Sequence, residues 1–575
     1  MARFARDCLY KFSVLTKKLE TTLGPDTAEL GMRFGLHSGP VTAGVLRGEK
    51  ARFQLFGDTM NTTARIESTG AKNKIHISQE TADLLTGAGK GHWVRPREDK
   101  VVAKGKGELT TFWLELKGDA AKSSRSGSSE GSESLALDEA PAAATAPVSG
   151  GQEGTSQALP ERYLRLVNWN AEILARMLKQ VVARREAMHV KPDPTEKIRD
   201  IETEQLQSGS LVLEEVKEII VLPKFKAGDA KSVIDPDKVK LGDAITSQLQ
   251  AYLQAIAAMY RNNPFHNFEH ASHVTMSVVK LLSRIVAPEI ECSEAKVLHD
   301  HTYGITSDPL TQFAVILSAL IHDVDHTGVP NSVLVQEQTS IAAVYKNKSV
   351  AEQNSVDIAW ELLMQDCFQD LRGAIYATAD EFKRFRQLVV NTVMATDIMD
   401  KELSAARKAR WNAAFTESRE DEEEDTSVNR KATIVIEHLI QASDVAHTMQ
   451  HWHIYRKWNQ RLFEEMYIAY KQGRTDKDPS TNWYEGEIGF FDFYIIPLAM
   501  KLRSCGVFGV SSDEYLNYAQ QNRREWERKG QEIVAEMLES FAYSEQLKAD
   551  ENNTAVPPPG LPSVPEKKSG VANQA

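Results

Sequence analysis

Apolar positions follow two rhythms along the chain, and the change near residue 160 divides it. Residues 2–23 repeat with a helical period that Gly24-Pro25 ends, and Met32-Arg33-Phe34-Gly35-Leu36-His37 alternates like a strand. Gly39, Gly44 and Gly48 punctuate a hairpin, and a helix is expected after Phe56-Gly57-Asp58. Residues 118–158 are rich in Ser, Gly, Ala and Glu with almost nothing large and apolar, the composition of a flexible tether. Beyond it Leu164, Val167, Ala171, Leu174, Leu178 and Val181 keep a 3–4 spacing, which predicts a linker helix over 159–190 stopped by Pro192 and Pro194. Such a stripe serves either to dimerise or to pack on the next domain. Asp243 is a candidate N-cap for a helix with Ile245, Leu249, Tyr252, Leu253, Ile256 and Tyr260 on one face. From there to about residue 545 helical periodicity dominates. The pattern predicts a multidomain chain: a mixed α/β region over 1–117, an all-α domain over 200–547 with room for a large core, and a disordered tail over 548–575.

Within the helical part, the run Phe313 to Ala319 reads as a helix buried on most sides. It leads directly into His322-Asp323-Val324-Asp325-His326. Ionisable groups at the end of a buried helix cost several kcal/mol unless they are paired or bind an ion. A lone histidine there would be read as a satisfied core residue, but four adjacent ionisable residues point to a metal. Eleven of the fifteen histidines fall between residues 266 and 453. His266 and His270 stand at i and i+4, and Asp444 follows the apolar run Ile434 to Ile440 as Asp323 follows its own. Two imidazoles and two carboxylates make an N/O shell for zinc with positions left for water. A carboxylate can also bridge to a harder ion such as Mg²⁺. Two such ions lower the pKa of water, and a histidine titrating near neutrality suits protonation of a leaving oxygen.

Charge and cysteine usage narrow the class. A net charge of -12 and pI near 5.8, with no basic block, exclude a general nucleic-acid binder. Cys8, Cys292, Cys367 and Cys505 lie far apart, as expected in a reducing, cytoplasmic compartment. No apolar run approaches the roughly 20 residues that span a bilayer, although a longer form could carry a membrane segment. The acidic run Glu420 to Asp425 is expected to be a solvated loop.

His266-Asn267-Phe268-Glu269-His270-Ala271, His322-Asp323-Val324-Asp325-His326, Ser349-Val350-Ala351-Glu352, Thr396-Asp397, Ala442-Ser443-Asp444, Tyr455-Arg456-Lys457-Trp458, Gly489-Phe490-Phe491-Asp492 and Asn522-Arg523-Arg524-Glu525-Trp526 resemble, in order and spacing, the class I cyclic-nucleotide phosphodiesterases. The resemblance implies that His270, His322, Asp323 and Asp444 bind zinc, with Asp323 bridging to Mg²⁺ or Mn²⁺. It implies a shared hydroxide attacking phosphorus in line while His266 protonates O3'. His326, Glu352 and Asp397 would order the ligands and metal waters, and Phe490 would stack on the purine, with Tyr455 and Trp458 also lining the substrate site. Glu487 stands where the family places a purine-reading Gln. An ionised glutamate only accepts hydrogen bonds, so weaker purine discrimination or a raised Glu487 pKa is expected. Gln353-Asn354-Ser355 replaces paired histidines, and His447 replaces an Asn. His447 and His451 share the face of Asp444 and are expected to line the pocket rather than bind the ions; His273, His299 and His301 are expected to be structural or solvated. No role is assigned to Asp325.

His37-Ser38-Gly39-Pro40, Phe56-Gly57-Asp58-Thr59-Met60-Asn61, Arg65-Ile66-Glu67-Ser68-Thr69-Gly70 and Lys104-Gly105-Lys106-Gly107 resemble the C-terminal half of a class III nucleotide cyclase, a ferredoxin-like α/β domain. The resemblance implies that Asn61 orients the ribose, Arg65 stabilises phosphate charge and Lys104 holds the triphosphate. The family's two metal-binding aspartates would precede Met1, so this half is expected to be inactive alone, with unfinished sheet edges. Gln54 occupies the base-selecting position and leaves the nucleotide open. A homodimer or a complete cyclase domain is the expected partner. The alternatives are a bifunctional cyclase and phosphodiesterase in a longer chain, or a non-catalytic regulator that binds cyclic nucleotide.

Overall fold

The computed structural model describes residues 1–24, 27, 30–46, 52–97, 101–103, 107–115, 159–209, 211–224, 235–285, 299–416 and 423–554. They belong to two compact units, Met1–Leu159 and Pro160–Ala575. The expected tether falls outside the described residues.

In the first unit, helix α1 (Ala2–Leu23) is followed by β1 (Phe34–Leu36), the antiparallel pair β2 (Thr42–Leu46) and β3 (Arg52–Phe56), and α2 (Asp58–Ser68). Next come β4 (Ile75–Ser78), α3 (Gln79–Gly87), β5 (Val94–Pro96), the antiparallel pair β6 (Val101–Ala103) and β7 (Gly107–Leu109), and β8 (Thr111–Leu114). The four-stranded sheet runs β1-β4-β8-β5, parallel at Phe34↔Ile75 and antiparallel at the other two seams. Ala5 of α1, Ile75 and Ile77 of β4, Ala82 of α3 and Leu114 of β8 share one small core. The expected hairpin forms, but Gly44 lies inside β2 opposite Gln54 instead of punctuating a turn. Gly57, at φ 124°, turns the chain into α2, where the Thr59 hydroxyl donates to Pro40 O at 2.6 Å. A Cβ on Gly39 would stand 2.5 Å from that hydroxyl, which accounts for the glycine.

The second unit is helical throughout its described residues. The elements that build the site are α4 (Glu161–Ala187), α5 (Thr195–Gln207), α6 (Asp243–Met259), α7 (Phe268–Ser283) and α8 (Pro309–Ile321). They continue with α9 (Val350–Leu363), α10 (Ala379–Met394), α11 (Lys401–Phe415), α12 (Glu424–Asp444) and α13 (Trp452–Lys471). Last come α14 (Trp483–Phe490), a π-helical turn (Phe491–Ile495), α15 (Ile496–Ser504) and the long α16 (Val510–Thr554). The run that looked buried on most sides is α8: every residue from Phe313 to Ile321 is buried, against α4, α7 and α10.

Several boundaries differ from the pattern for identifiable reasons. The stripe of α4 is consumed inside this unit, where the buried Asn170 amide donates to Leu166 O at 2.9 Å and Ser272 Oγ at 3.0 Å. Leu164, counted in the stripe, is exposed, while Trp169 and Ile173, off it, are buried. That helix ends at Ala187, before either proline, with His189 in the left-handed region. Asp243 is the first helical residue and Gly242 the cap. Glu424 and Asp425 form the first turn of α12, where the helix dipole favours acidic side chains; residues 420–422 lie outside the described part. Helix α16 continues to Thr554, past the start of the expected tail.

Candidate metal and nucleotide site

Three helix ends deliver the central side chains. The Asn267 side chain caps α7 by accepting His270 N–H at 3.0 Å, which fixes His270 in the first turn. His322 caps the C-terminus of α8, and Asp444 is the last residue of α12. Apolar helix bodies on both runs force these termini, with their polar residues, into the interior.

There His270 Nε2 lies 3.1 Å from Asp444 Oδ1 and 3.7 Å from Asp323 Oδ2. His322 Nε2 lies 3.1 Å from Asp323 Oδ2 and 3.3 Å from Asp444 Oδ1. His270 and His322 are each only 2% exposed, so solvent hardly reaches either ring. The His322 Nδ1–H donates to Ala319 O at 3.0 Å, which turns Nε2 toward Asp323 and Asp444. Despite these approaches, His322 Nε2 and Asp323 Oδ2 have no partner in hydrogen-bond geometry. A nitrogen and a carboxylate oxygen that converge without a hydrogen bond between them fit a shared cation, a proton or a metal ion. Burial alone would lower the His322 pKa, but the Asp323 and Asp444 carboxylates overcome it and hold it well above the usual range. Burial likewise opposes ionisation of Asp323 and Asp444, and the facing imidazoles keep both carboxyls below the usual carboxylate range. His270, His322 and Asp444 place one ligand atom each within 4.8 Å of one another, as an N/O ion site requires.

His266 stands beside this cluster. Its Nδ1–H donates to Glu465 Oε1 at 2.5 Å, while Glu465 Oε2 accepts the backbone N–H groups of Phe265 and His266 at 2.9 Å each. Burial works against a charged His266, yet the Glu465 carboxylate raises its pKa to about 9. His266 in turn depresses Glu465 to about 2 against the effect of burial. The His326 ring lies 3.9 Å from that of His266, and burial together with His266 pushes it down to about 4. A charged histidine thus sits against a neutral one. The Asn263 amide donates to His266 O at 3.0 Å and His326 O at 2.7 Å, joining the two loops. Glu465 was missed by the sequence reading; its only signal is a buried acid on the inner face of α13.

Glu352 accepts from Asn331 Nδ2 at 2.9 Å. Burial, then the nearby Asp397 charge, raise its pKa to about 8. The Asp397 side chain accepts the N–H groups of Met399 and Asp400 at 3.0 Å each. Asp325, for which the sequence suggested no role, adopts φ 62° and accepts from Arg261 Nε at 2.7 Å and Asn354 Nδ2 at 3.4 Å. Ser355 Oγ reaches Val324 O at 2.9 Å. The segment that replaces paired histidines therefore fastens the 322–326 loop to α9.

A second group of side chains adjoins the cluster through α13. The Trp458 ring lies 5.7 Å from His270 and 6.3 Å from His447, whose pKa burial and His270 lower to about 3. Tyr455 donates its hydroxyl to Glu487 Oε2 at 2.7 Å, and Asn459 also hydrogen-bonds Glu487. Burial raises the Glu487 pKa to about 7, with the two hydrogen bonds acting in the opposite direction. Phe490 follows one turn later on α14, half-buried, its ring 5.4 Å from Tyr494 and inclined by 16°. The Tyr494 hydroxyl is buried without a hydrogen-bond partner among the described residues. His451 is not at the pocket: it is exposed at the start of α13, with Nε2 3.1 Å from Tyr518 OH. His273 lies against Trp458 at 5.2 Å, and His299 Nδ1 lies 2.5 Å from Ser307 Oγ.

In the first unit, Asn61 and Arg65 stand one turn apart on α2, both exposed. Lys104 lies outside the described residues, between β6 and β7.

Comparison with known proteins agrees with this division. Residues 265–506 match the family described as 3'5'-cyclic nucleotide phosphodiesterase, and residues 6–116 match the adenylate and guanylate cyclase catalytic domain. A probable 3',5'-cyclic phosphodiesterase, pde-1, of Caenorhabditis elegans is 28% identical over 262 residues, 43% of this chain and 34% of its own length. The dual specificity calcium/calmodulin-dependent 3',5'-cyclic nucleotide phosphodiesterase 1B of Mus musculus is 29% identical, covering 43% of each chain. The cGMP-specific 3',5'-cGMP phosphodiesterase 3 of Dictyostelium discoideum is 24% identical over 49% of this chain and 56% of its own. The chain spans about a third of the length of the first curated relatives it matches. Among solved structures, the phosphodiesterase domain of Salpingoeca rosetta rhodopsin phosphodiesterase aligns with TM-score 0.40 and 23% identity, over 51% of this chain and 83% of that one. No helix among the described residues is long and apolar enough to cross a membrane.

Proposed function

We propose that this chain, which joins a cyclase catalytic region at 6–116 to a 3',5'-cyclic nucleotide phosphodiesterase domain at 265–506, hydrolyses cAMP or cGMP to the 5'-monophosphate. The observation that carries the reading is the convergence of His270, His322, Asp323 and Asp444, with His322 Nε2 and Asp323 Oδ2 lacking a hydrogen-bond partner, beside a histidine held charged by Glu465. These four residues would hold a zinc ion, and Asp323 would also serve a Mg²⁺ or Mn²⁺ whose waters are ordered by His326, Glu352 and Asp397. When bound, the two ions would polarise the phosphate and make water nucleophilic at neutral pH.

The chain's own groups do the rest. Ala319 O accepts the His322 Nδ1–H, so Nε2 would be the nitrogen offered to an ion. Glu465 accepts the His266 Nδ1–H, orienting the ring and keeping it protonated, so that Nε2–H delivers the proton to the departing O3'. Phe490 would lie against the purine face, with Tyr455, Trp458, His447 and Glu487 shaping the same pocket. The few, widely spaced cysteines suit the cytoplasm. Asn61, Arg65 and Lys104 would complete a cyclase site only with a second domain that supplies metal carboxylates.

The test is hydrolysis of cAMP and cGMP by the full chain with Mg²⁺, with and without chelator. Chelator-sensitive 5'-monophosphate is expected. Binding of cyclic nucleotide without product would overturn the reading in favour of a non-catalytic regulator.

A further inference from the structure

The segment that carries His266 and His270 is gripped by two helices through a residue that lies between them in sequence. His266 stands just ahead of the Asn267 cap of α7 and His270 in its first turn, so a tilt of that turn moves both rings. Along α13, Trp458, Arg461 and Glu465 fall at i, i+3 and i+7 and share one face. Trp458 lies against His270, Glu465 holds His266, and between them Arg461 Nη1 stands 3.1 Å from Glu269 Oε2. The first turn of α4 brings Tyr163 to Phe268, ring centroids 5.5 Å apart, and Arg162, whose Nη2 donates to Glu269 Oε1 at 2.5 Å. Lys457 Nζ lies 3.8 Å from the same oxygen. One carboxylate, 12% exposed, thus faces three cations from two helices. Arg461 Nη1 is buried with no partner in hydrogen-bond geometry among the described residues, so the charge of Glu269, rather than a directed bond, compensates it.

We propose that Glu269 is a positioning residue for hydrolysis: its charge draws α4 and α13 onto the first turn of α7 and so fixes the proton donor His266 relative to the ion ligand His270. The proposal rests on the hydrolytic reading above. Without the carboxylate, Arg162, Lys457 and Arg461 are left as three like charges, the largely buried Arg461 among them. Their repulsion pushes both helices away from α7. Arg162 and Lys457 are half-exposed, so their pairs add little to overall stability, and what they supply is a fixed geometry. The consequence is that α4, the helix that follows residues 118–158, belongs to the hydrolytic machinery through its first turn.

The experiment measures kcat and KM for cAMP and cGMP in the full chain with Mg²⁺, for the native protein, Glu269→Gln, Arg162→Gln and the double variant. Glu269→Gln keeps the size of the side chain and removes its charge. Its kcat is expected to fall by about 10- to 100-fold, the range for a group that orients a ligand, with KM within about twofold of native. Arg162→Gln alone should lower kcat by less than about threefold, because two cations still hold the carboxylate. Added to Glu269→Gln, it removes one of three repelling charges and should restore kcat by at least about threefold, a sign that independent packing losses do not produce. An unchanged kcat in Glu269→Gln, a loss carried by KM, or a double variant no faster than Glu269→Gln overturns the proposal while hydrolysis stands. Absence of product from the native protein overturns the hydrolytic reading, and this proposal with it. If Glu269→Gln does not fold, Arg162→Gln combined with Arg461→Gln, which frees the carboxylate from both guanidiniums, decides: kcat lower by at least about fivefold at unchanged KM is expected, and an unchanged kcat overturns the proposal.

Discussion

The cluster of His270, His322, Asp323 and Asp444 and the Asn61/Arg65 pair are held by different physics. Asn61 and Arg65 share a face of α2 because they are four residues apart, and both side chains remain in water. His270, His322, Asp323 and Asp444 come from three distant segments and meet in a site whose imidazoles are buried and whose carboxylates keep partial access to water. In water an Asn/Arg pair costs nothing to leave incomplete. Around two buried imidazoles an unpaired lone pair costs free energy, so such a cluster favours a shared cation. Both groups of side chains that could hold an ion among the described residues are accordingly in the helical unit.

Removing a ligand tests that contrast most severely. Asp444→Ala or His322→Ala should lower hydrolysis by more than the roughly 100-fold typical of an outer-shell partner, with loss of bound metal measured by elemental analysis. Retained metal and rate would place the ions elsewhere. His266→Ala should lower kcat by about 10²–10⁴-fold while bound metal is unchanged, the split expected of a proton donor.

Glu465→Gln sharpens the point further. Because Glu465 raises His266 to about 9, the protonated acid persists well above neutrality, and removing the carboxylate should move the alkaline limb of the kcat/KM profile downward. An unmoved limb would detach Glu465 from proton delivery. Next in size is the pH response of base choice. Burial raises Glu487 to about 7, so it is ionised above that pH and protonated below it, against only the neutral Tyr455 and Asn459 donors. A protonated carboxyl can donate to adenine N1, so the cGMP:cAMP ratio should fall as pH drops from 8 to 6, and should be flat in Glu487→Gln. The smallest effect belongs to the other unit: Asn61→Ala with Arg65→Ala should leave phosphodiesterase activity unchanged and shift stability by no more than about 0.5 kcal/mol. The same pair should abolish any gain in GTP or ATP turnover seen when a complete cyclase domain is added; a gain that survives would remove them from the half-site.

Local pattern reached far in the helical unit because burial writes itself into sequence. The wholly apolar α8 ending in His322-Asp323 was legible as a buried helix with ionisable residues at its end, and the mixed α/β character of the first 117 residues followed from alternation and glycine spacing. Boundaries set by caps were less legible: Gly242 rather than Asp243 begins α6, and α4 ends at Ala187 before the prolines, because backbone geometry at a cap depends on what the helix packs against. Three site features had no sequence signal strong enough to find them. Glu465 sits 199 residues from His266, Arg261 reaches Asp325 across a left-handed turn, and Asn459 is oriented by Trp483.

The sequence by itself determined the helical architecture, the residue types of the ion cluster and the presence of an acid where an amide was expected, since each of these is carried by periodicity or by chemistry at a single position. Only the tertiary structure decided the electrostatic state of those groups. Whether His266 is charged, His326 neutral, or Glu487 poised near neutrality depends on burial and on partners brought from elsewhere in the chain. Coulomb and desolvation energies depend on distance through space and access to water, and neither is encoded in sequence separation.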